Sequence, residues 1–402
     1  MVGKSKDLSY LPVEMSIAVL GVGRLGICVA LTLEKNGYIV HCSDKNPKIM
    51  EAIESRTIET VEPGVKDLLA KSKNLVPVRS LNDVKDVELF FCVVHTPSLP
   101  DGSYNHQYLE SCAEELKSYL QPNGPKKYFV VCSTTMPGYC AELQEKFTRY
   151  NVEVCYNPEF IAQGAILKGM ENPDMVLLGC TSDDAYTKLS EIYKRVTRSN
   201  PVFSRMKPTE AEITKIAINC FITTKISFAN TIGDLCIEKG LNPQRVLDAV
   251  GADSRIGRKY LGWGHGFGGP CFPRDNRALS YYCEEQGIQN LIGESTDKIN
   301  TRHLEFLMKK IAGVMAKDEV NRPLLFRDLS YKPGTTIVEE SQPLRLALLF
   351  NQNGYTINVE ESDEMRVVLE TLYPNVFHFV TNPNLKDYIV IDSTLSLLKS
   401  YD

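Results

Sequence analysis

A glycine-rich turn between two short apolar segments is the feature that most constrains how this chain can fold. Ser16–Leu20 reads SIAVL and runs directly into GVGRLG at residues 21–26, after which a helical pattern continues to Lys35. A second apolar segment, Ile39–Ser43, follows, and Asp44 stands at its end. This order of strand, GxGxxG, helix, strand and acidic residue is typical of the start of a Rossmann domain. The pattern therefore predicts an α/β fold in which the first strands are parallel.

The same segment predicts a dinucleotide site. Gly21 would make the tight turn, Gly23 would let a pyrophosphate approach the helix N-terminus, and Gly26 would allow close packing of helix on strand. Asp44 can accept hydrogen bonds from the adenosine ribose, which favours NAD over NADP. We therefore expect NAD as the cofactor, the alternative being a purely structural turn.

More strand patterns follow, alternating with helical ones, and they predict a parallel sheet whose carboxyl edge carries the ligand site. They cover residues 88–94, 127–132, 152–156 and 175–179. Thr96, Thr134 and Glu159 each lie just after one of these strands, so we expect them on that edge. Each residue alone would equally suit a helix cap or a loop.

One long helix is predicted over residues 208–239. Thr209 and Glu212 have the spacing of a capping box, and Gly240 follows as a stop. At 1.5 Å per residue the helix would span roughly 45 Å, enough to connect two domains. Lys215 and Asn219 share one face. Because most of the helix is apolar, a lysine on it requires a partner or a ligand.

A smaller α/β unit is predicted after residue 300, with strands near 323–329, 355–359, 376–380 and 388–392. Its first strand leads into SYKPGT at residues 330–335, where Lys332 could hold a phosphate. The predicted organisation is a flexible tail over 1–14, a Rossmann-like NAD-binding domain over 15–205, a central helical domain over 206–300 and a Rossmann-like C-terminal domain over 301–402.

A cysteine in a glycine loop is the strongest candidate for covalent chemistry. Residues 266–275 read GFGGPCFPRD, with Cys271 three residues before Arg274. A nearby cation can lower the pKa of a thiol and make a thiolate nucleophile available at neutral pH. The alternative is a tight surface turn around an inert cysteine. The other eleven cysteines contain no CxxC pair and many lie in apolar runs, so we expect core thiols and no metal site.

The composition narrows the range of partners. The formal net charge is -5 and no long basic run occurs, which argues against nucleic acid and anionic membranes. No signal peptide or apolar run of membrane length is present, and the cysteine usage suits a reducing compartment. We therefore expect a cytoplasmic protein.

Taken in order, the motifs resemble the nucleotide-sugar dehydrogenases of the UDP-glucose/GDP-mannose dehydrogenase family, and within it the UDP-glucose 6-dehydrogenases most closely. The resemblance runs from about residue 16 to about residue 353. It rests on GVGRLG, Asp44, the HTP loop, STTMPG, NPEFIAQGA, KIAINCFITTKISFAN, DSRIG, GFGGPCFPRD and the YKPGT loop with Glu340-Ser341.

The resemblance implies a four-electron, NAD-dependent oxidation of UDP-glucose to UDP-glucuronate through a thiohemiacetal and a thioester at Cys271. It also implies a C-terminal domain that binds the UDP moiety and a homodimer joined through the central helices. GDP-mannose or a UDP-N-acetylhexosamine as the substrate remains an alternative, and so does a catalytically silent paralogue that binds nucleotide sugars.

Site residues follow from the same resemblance. Lys215 would stabilise the oxyanion and Asn219 would orient the substrate. Asp275 with Thr134 would position water, and Glu159 would act as acid or base beside the nucleophile Cys271. The implied NAD contacts are Gly21, Gly23, Arg24, Leu25, Gly26, Asp44, Lys48, Thr96, Pro97, Thr134, Gln163 and Arg274. The implied substrate contacts are Glu159, Phe160, Ile161, Ala162, Lys215, Asn219, Tyr260, Leu261, Phe267, Gly268, Cys271, Phe272, Tyr331 and Lys332, with Arg255 supplied by the neighbouring subunit.

Overall fold

The fold is taken from a computed structural model that describes residues 15–160 and 164–399. The predicted tail over residues 1–14 lies outside the described residues. The chain forms two compact units, with the boundary between Lys215 and Ile216. The three domains expected from the sequence therefore stay a prediction. None of the described helices is long and apolar enough to cross a membrane.

The first unit is built on an eight-stranded sheet in the order β3-β2-β1-β4-β5-β6-β7-β8, as far as the described residues show. The strands are β1 Ser16–Leu20, β2 Ile39–Ser43, β3 Leu75–Pro77, β4 Leu89–Cys92, β5 Lys127–Val131, β6 Val152–Tyr156, β7 Met175–Gly179 and β8 Val202–Met206. The helices are α1 Arg24–Lys35, α2 Pro47–Glu54, α3 Val65–Lys71, α4 Gln107–Tyr119, α5 Tyr139–Lys146, α6 Ile166–Glu171, α7 Asp183–Val196 and the start of α8 Pro208–Glu238.

The central strands are buried on both faces, which explains why they read as continuous apolar runs. Every residue of β4, β5 and β6 is buried, and the core on each side of the sheet contains large side chains such as Phe90 and Tyr128. Helices that cover both faces of a sheet bury it in this way. The sequence therefore identified the Rossmann-like architecture from its most apolar segments.

The prediction of a wholly parallel sheet is wrong at one place. β6 and β7 pair antiparallel, through Tyr156 and Gly179, whereas the other neighbouring strands in this sheet are parallel. A parallel neighbour requires a crossover that carries the chain back to the opposite edge. The short helix α6, which connects β6 to β7, packs against α1 and provides no such crossover. β7 therefore begins at the end of the sheet at which β6 stops. β3 and β8 were not predicted, because β3 is three residues long and β8 carries polar side chains.

The second unit combines helices with a small parallel sheet in the order β11-β10-β9-β12. After the remainder of α8, its elements are α9 Pro243–Ala252, α10 Phe272–Glu285, α11 Leu291–Met315, β9 Leu324–Arg327, α12 Gln342–Gln352, β10 Ile357–Glu360, α13 Asp363–Leu372, β11 Phe377–Phe379 and β12 Ile389–Ile391. One hydrophobic core joins the helices to this sheet, from Ala229 and Trp263 to Phe326. The predicted smaller α/β unit is confirmed.

The buried carboxylate of Glu153 on β6 holds the start of α7. It accepts hydrogen bonds from the backbone and hydroxyl groups of Thr181 and Ser182, and it pairs with Lys126 at 3.2 Å. Burial acts to raise the pKa of Glu153, but the hydrogen bonds from Ser182, Thr181 and Lys126 outweigh it, so the pKa lies below its usual value. The carboxylate therefore stabilises the fold only while it is ionised.

We expect Glu153→Gln to lower the urea midpoint at pH 7 by the equivalent of about 1.5–3 kcal/mol, because hydrogen bonds to a charged group are lost. The wild-type advantage should be complete above the unfolded-state pKa of about 4.3 and should disappear as the pH falls through the lower folded-state pKa. Urea unfolding of both proteins across pH 3–7 measures this difference. An advantage that persists unchanged at low pH would contradict the prediction.

Candidate active site

The glycine turn after β1 adopts the conformation that its sequence predicts. Gly21 has a φ of 83° and its N–H donates to the carbonyl of Ser43 at 2.8 Å. A Cβ on Gly26 would lie 1.8 Å from the carbonyl oxygen of Gly21, so α1 can start against the turn only because residue 26 lacks a side chain. Around Gly23, in contrast, there is open space.

Asp44 lies at the end of β2 with both carboxylate oxygens bound to the backbone. Oδ2 accepts from the N–H of Val22 at 2.9 Å, and Oδ1 accepts from the N–H of Asn46 at 2.8 Å. The first bond joins the carboxylate to the glycine turn itself. Asp44 is therefore fixed in position at the place where the adenosine ribose of a dinucleotide would lie.

A cavity of about 510 Å³ opens beside this turn. It is lined by Leu20, Gly21, Gly23, Ser43, Asp44, Lys45, Asn46, Ile49, Leu81, Val93, Val94, His95, Tyr108, Ser111, Cys112 and Glu115. Its volume is that of a small-molecule site. An unobstructed glycine at a helix N-terminus suits a pyrophosphate, and a fixed carboxylate suits a ribose. The residues present therefore fit NAD.

Sequence reasoning missed one wall of this cavity, which is a face of α4. Tyr108, Ser111, Cys112 and Glu115 all line the cavity, and their spacing of three, four and seven residues places them on a single helix face. That spacing was available in the sequence. The role of this helix face can be recognised only once the strand order is known. α4 follows β4 in the chain, and β4 lies next to β1 in the sheet.

The remaining predicted NAD contacts lie in several places. Arg24 and Leu25 open α1 beside the cavity, whereas Lys48 is exposed in α2, outside the cavity lining. The Thr96 hydroxyl donates a hydrogen bond to the carbonyl oxygen of Thr134 at 2.7 Å, which links the loop after β4 to the loop after β5. Pro97 follows Thr96 in the loop after β4. Ile161, Ala162 and Gln163 lie outside the described residues.

Glu212 is a fully buried carboxylate that joins α8 to the loop after β5. It accepts from the Thr135 hydroxyl at 2.9 Å, from the Gly138 N–H at 2.7 Å and from the Cys140 N–H at 2.9 Å. Burial raises the pKa of Glu212, and these hydrogen bonds oppose the rise. The predicted capping box of Thr209 with Glu212 is wrong.

The capping interaction belongs to a different glutamate. Because α8 begins at Pro208, Glu210 is the third helical residue, and it accepts from the N–H of Lys207 at 2.8 Å. This is the back-bonding half of a capping box, moved two residues toward the N-terminus. Glu212 is therefore available for its partners in the loop.

Lys215 and Glu159 lie together in the first unit. Lys215 Nζ donates to the carbonyl oxygen of Glu159 at 2.8 Å and lies 4.6 Å from the centre of the Phe160 ring. The Glu159 carboxylate accepts from the Tyr193 hydroxyl at 3.1 Å. Burial raises the pKa of Glu159, opposed by the Tyr193 hydrogen bond and the Lys215 charge. A carboxyl group of raised pKa is a candidate for proton transfer.

In the second unit, the structure brings Cys271, Asn219 and Asp275 together. The exposed Cys271 is the N-cap residue of α10, and its carbonyl accepts from the Asp275 N–H at 2.8 Å. Asp275 is buried and accepts from Asn219 Nδ2 at 2.7 Å, while Arg274 Nε lies 3.4 Å from its other oxygen. A helix N-terminus favours negative charge, which suits a thiolate nucleophile.

The glycine loop before Cys271 packs against the YKPGT loop. A Cβ on Gly269, whose φ is 81°, would lie 2.4 Å from the Tyr331 ring, and its N–H donates to the carbonyl of Glu339 at 3.0 Å. A Cβ on Gly268 would lie 2.2 Å from the carbonyl oxygen of Glu340. Close packing of two loops therefore accounts for these glycines.

The other predicted substrate residues of the second unit fall into two groups. Leu261 and Phe267 are buried, whereas Tyr260 is exposed, with a φ of 60° and an edge-to-face contact with Phe272. Lys332 lies half-buried in the YKPGT loop. The Arg255 side chain is 86% exposed and pairs with Asp253.

Comparison with known proteins agrees with these features. Residues 15–197 match the NAD binding domain of the UDP-glucose/GDP-mannose dehydrogenase family, and residues 209–302 match the central domain of that family. The chain is 29% identical over 360 residues to UDP-glucose 6-dehydrogenase of Pseudomonas aeruginosa, which covers 86% of this chain and 79% of the relative.

Solved structures give the same picture. A UDP-glucose dehydrogenase from Pyrobaculum islandicum superposes with a TM-score of 0.84 at 29% identity, covering 100% of this chain and 94% of that one. The UDP-D-ManNAc dehydrogenase from Pyrococcus horikoshii shares the fold, with a TM-score of 0.75 at 19% identity, covering 94% of this chain and 99% of that one.

Two glycines of the turn should respond differently to alanine. We expect Gly26→Ala to lower the thermal midpoint strongly, because overpacking of this kind costs about 1–3 kcal/mol or more. Gly23→Ala, the matched control, should melt close to wild type but bind NAD more weakly, because its methyl group enters open space beside the cavity. Thermal melting and NAD titration separate the two effects. Equal destabilisation by both substitutions would contradict this division of roles.

Proposed function

The chain is an NAD-dependent oxidoreductase of the UDP-glucose/GDP-mannose dehydrogenase family, and we propose that it oxidises UDP-glucose to UDP-glucuronate. The observation that carries the proposal is the position of Cys271. Its thiol is exposed at the N-terminus of α10, within a glycine loop and one helical turn before the buried Asp275. A simple alcohol dehydrogenase has no use for such a thiol, whereas an enzyme that must retain an aldehyde does.

NAD, when bound in the cavity of the first unit, supplies the oxidising chemistry by accepting hydride from the sugar carbon. The thiolate of Cys271 adds to the aldehyde carbon, a C–S bond forms, and the carbonyl oxygen becomes the hydroxyl of a thiohemiacetal. Transfer of a second hydride from this adduct to a second NAD, with loss of the hydroxyl proton, would leave a thioester. Water then breaks the C–S bond, which releases the carboxylate and restores the thiol.

Side chains of each unit have contacts that suit the proposed roles. Lys215, held by the Glu159 carbonyl and the Phe160 ring, carries a positive charge that can stabilise an oxyanion. Glu159, with its raised pKa, is proposed as the acid or base. The Asn219 amide is held by Asp275, so it can orient a substrate hydroxyl, while Asp275 and Thr134 are proposed to direct water.

The substrate contacts proposed for the second unit are those next to the glycine loop. Tyr331 packs on Gly269, and Lys332 can supply a charge for a phosphate. Tyr260 and Phe272 offer an aromatic surface, one of them exposed. We propose that the C-terminal sheet and these loops bind the UDP moiety.

A homodimer is part of the proposal and rests on the outer face of α8. Phe221, Phe228 and Leu235 are spaced seven residues apart and are 67%, 48% and 58% exposed. An apolar stripe with a heptad spacing is typical of a helix that packs on another helix. We infer that two copies pair through this stripe. Arg255, exposed and held by Asp253, is proposed to serve the neighbouring subunit.

A cytoplasmic location is also proposed, from the state of the thiols. All twelve cysteines lie within the described residues, where none forms a disulfide and most are buried. Free thiols in this number are typical of a reducing compartment.

We expect two NADH for each UDP-glucose consumed, with GDP-mannose and UDP-N-acetylglucosamine oxidised far more slowly. Absorbance of NADH together with chromatography of the sugar products measures both quantities. If another nucleotide sugar is preferred and also yields two NADH, the proposed substrate is wrong and the proposed mechanism stands. One NADH for each sugar would rule out the thioester route.

Cys271→Ser should lower the rate of acid formation by several orders of magnitude while NAD and UDP-glucose still bind, because a serine hydroxyl is scarcely ionised at neutral pH. Cys283→Ser, which changes another solvent-accessible thiol on the same helix, is the matched control and should keep full activity. Acid formation by the Cys271→Ser variant at the wild-type rate would show that no covalent intermediate forms at this residue.

Phe228→Glu should convert the dimer to a monomer, because each interface would bury an unpaired carboxylate at a cost of several kcal/mol. Val367→Glu places the same charge on an exposed valine of α13 and should leave the assembly unchanged. Sedimentation equilibrium gives the mass of each variant. A stable dimer in the Phe228→Glu variant would move the interface away from this stripe.

A further inference from the structure

An ion pair in the wall of the NAD cavity joins the loop after β2 to helix α4. Lys45 directly follows Asp44 in that loop, and Glu115 lies on the face of α4 that lines the cavity. Lys45 Nζ donates a hydrogen bond to Glu115 Oε2. Of the described residues that line the cavity, these three are the Asp, Glu, Lys or Arg side chains. The lining therefore contains two carboxylates and one cation, and the cation is already paired.

The position of Lys45 is one that matters for the choice of cofactor. NAD and NADP differ only in the adenosine ribose, which carries a 2′-hydroxyl in NAD and a 2′-phosphate in NADP. In Rossmann domains the acidic residue after the second strand meets the 2′-hydroxyl, whereas a nearby cation accommodates the 2′-phosphate. Lys45 is next to Asp44, and its side chain is 76% exposed. A cation suited to a 2′-phosphate is thus present beside the carboxylate that suits a ribose.

Glu115 holds this cation. Its hydrogen bond with Lys45 raises the pKa of the lysine, so the ammonium group stays protonated and paired. The Glu115 side chain is only 24% exposed, and it reaches Lys45 from the opposite side of the cavity lining, seventy residues further along the chain. Arg24 and Lys48 lie outside the lining. Lys45 is therefore the cation with which a 2′-phosphate in this cavity would pair.

We propose that Glu115 is a second determinant of the preference for NAD, in addition to Asp44, and that it acts by pairing with Lys45 and by adding a carboxylate to the cavity wall. A phosphate monoester carries close to two negative charges at neutral pH. A 2′-phosphate would therefore meet two carboxylates and a cation that is already neutralised. The uncharged 2′-hydroxyl of NAD meets no such repulsion. This role of Glu115 rests on NAD binding in the cavity and is independent of the sugar substrate.

The same helix supplies a matched control. Glu114 precedes Glu115 in α4 and pairs with Lys117 at 2.9 Å, but neither residue of this pair lines the cavity. Replacing either glutamate with glutamine removes one negative charge from α4. Exposed ion pairs contribute little to stability, so both variants should fold. The two substitutions therefore differ in their position relative to the cavity and not in their effect on net charge.

The experiment measures the Kd of NAD and of NADP by calorimetry for the full-length wild type, Glu115→Gln, Glu114→Gln and the double variant Glu115→Gln with Lys45→Ala. Thermal melting checks that each protein is folded. We expect Glu115→Gln to tighten NADP binding about tenfold, because Lys45 becomes free to make a charge-assisted hydrogen bond to the phosphate. The affinity for NAD should change by a much smaller factor. NAD should remain the preferred cofactor, since Asp44 is retained.

The other variants test the cause of the gain. The double variant should lose the tighter NADP binding, and Glu114→Gln should bind NADP as weakly as the wild type. Glu115→Ala should give the same gain as Glu115→Gln, which keeps the test independent of one variant's folding. The gain should shrink as salt is raised, because it arises from charge.

Three results would overturn the proposal. The first is NADP affinity that Glu115→Gln and Glu115→Ala leave unchanged. The second is an equal gain in Glu114→Gln, which would make the effect one of net charge. The third is a gain that persists after Lys45→Ala, which would show that the lysine does not meet the phosphate.

Two further outcomes separate this role of Glu115 from the proposed function. Tighter NADP binding by Glu115→Gln in a protein that oxidises none of the nucleotide sugars would support the role of Glu115 and remove the proposed function. Two NADH for each UDP-glucose, with NADP affinity insensitive to Glu115→Gln, would remove the role of Glu115 and leave the proposed function intact.

Discussion

The buried carboxylate of Glu212 is the interaction on which the arrangement of the candidate catalytic groups in the first unit depends. An ionised carboxylate without partners inside a protein is very unfavourable, and here three donors from the loop after β5 and the start of α5 stabilise it. The loop after β5, which includes Thr134, and the first turns of α8 are therefore held together. Lys215 lies three residues further along the same helix, and its ammonium group is directed by this anchorage to the Glu159 carbonyl. Removing the carboxylate would leave three donors, two of them fully buried, to rearrange at once.

Local sequence patterns predicted well those parts of the fold that depend on neighbouring residues. β1, β2, β6 and β7 have the predicted bounds, and α1 ends at Lys35 as expected, because apolar runs and the Asn36-Gly37 stop act locally. Glu212 shows where such reasoning fails. Its spacing from Thr209 satisfies a local motif, but its partners are more than seventy residues away in sequence. Nothing in the local pattern shows that a tertiary contact competes for the same side chain.

The candidate site also combines features that local sequence predicts with features that depend on tertiary structure. GVGRLG and Asp44 identified the floor of the NAD cavity, because Gly21, Gly26 and Asp44 each have a backbone-level reason to be there. The α4 wall was missed, since its polar residues have no motif and acquire their role only from the order of β1 and β4 in the sheet. Cys271 and Asp275 were predicted from a loop, and the structure adds that α10 begins at this loop and presents them one turn apart.

Asp44 has a consequence for how cofactor preference could change. Its carboxylate accepts from Val22 inside the glycine turn and from Asn46 after β2, so the group that would meet the ribose also supports the loop that would meet the pyrophosphate. Replacing it with a small neutral residue to admit a 2′-phosphate would leave the Val22 N–H without this acceptor. Selectivity and loop conformation are thus coupled in one side chain. A lineage moving toward NADP would first need a second residue to take over the structural bond, which makes the route stepwise and holds the chain to its present cofactor.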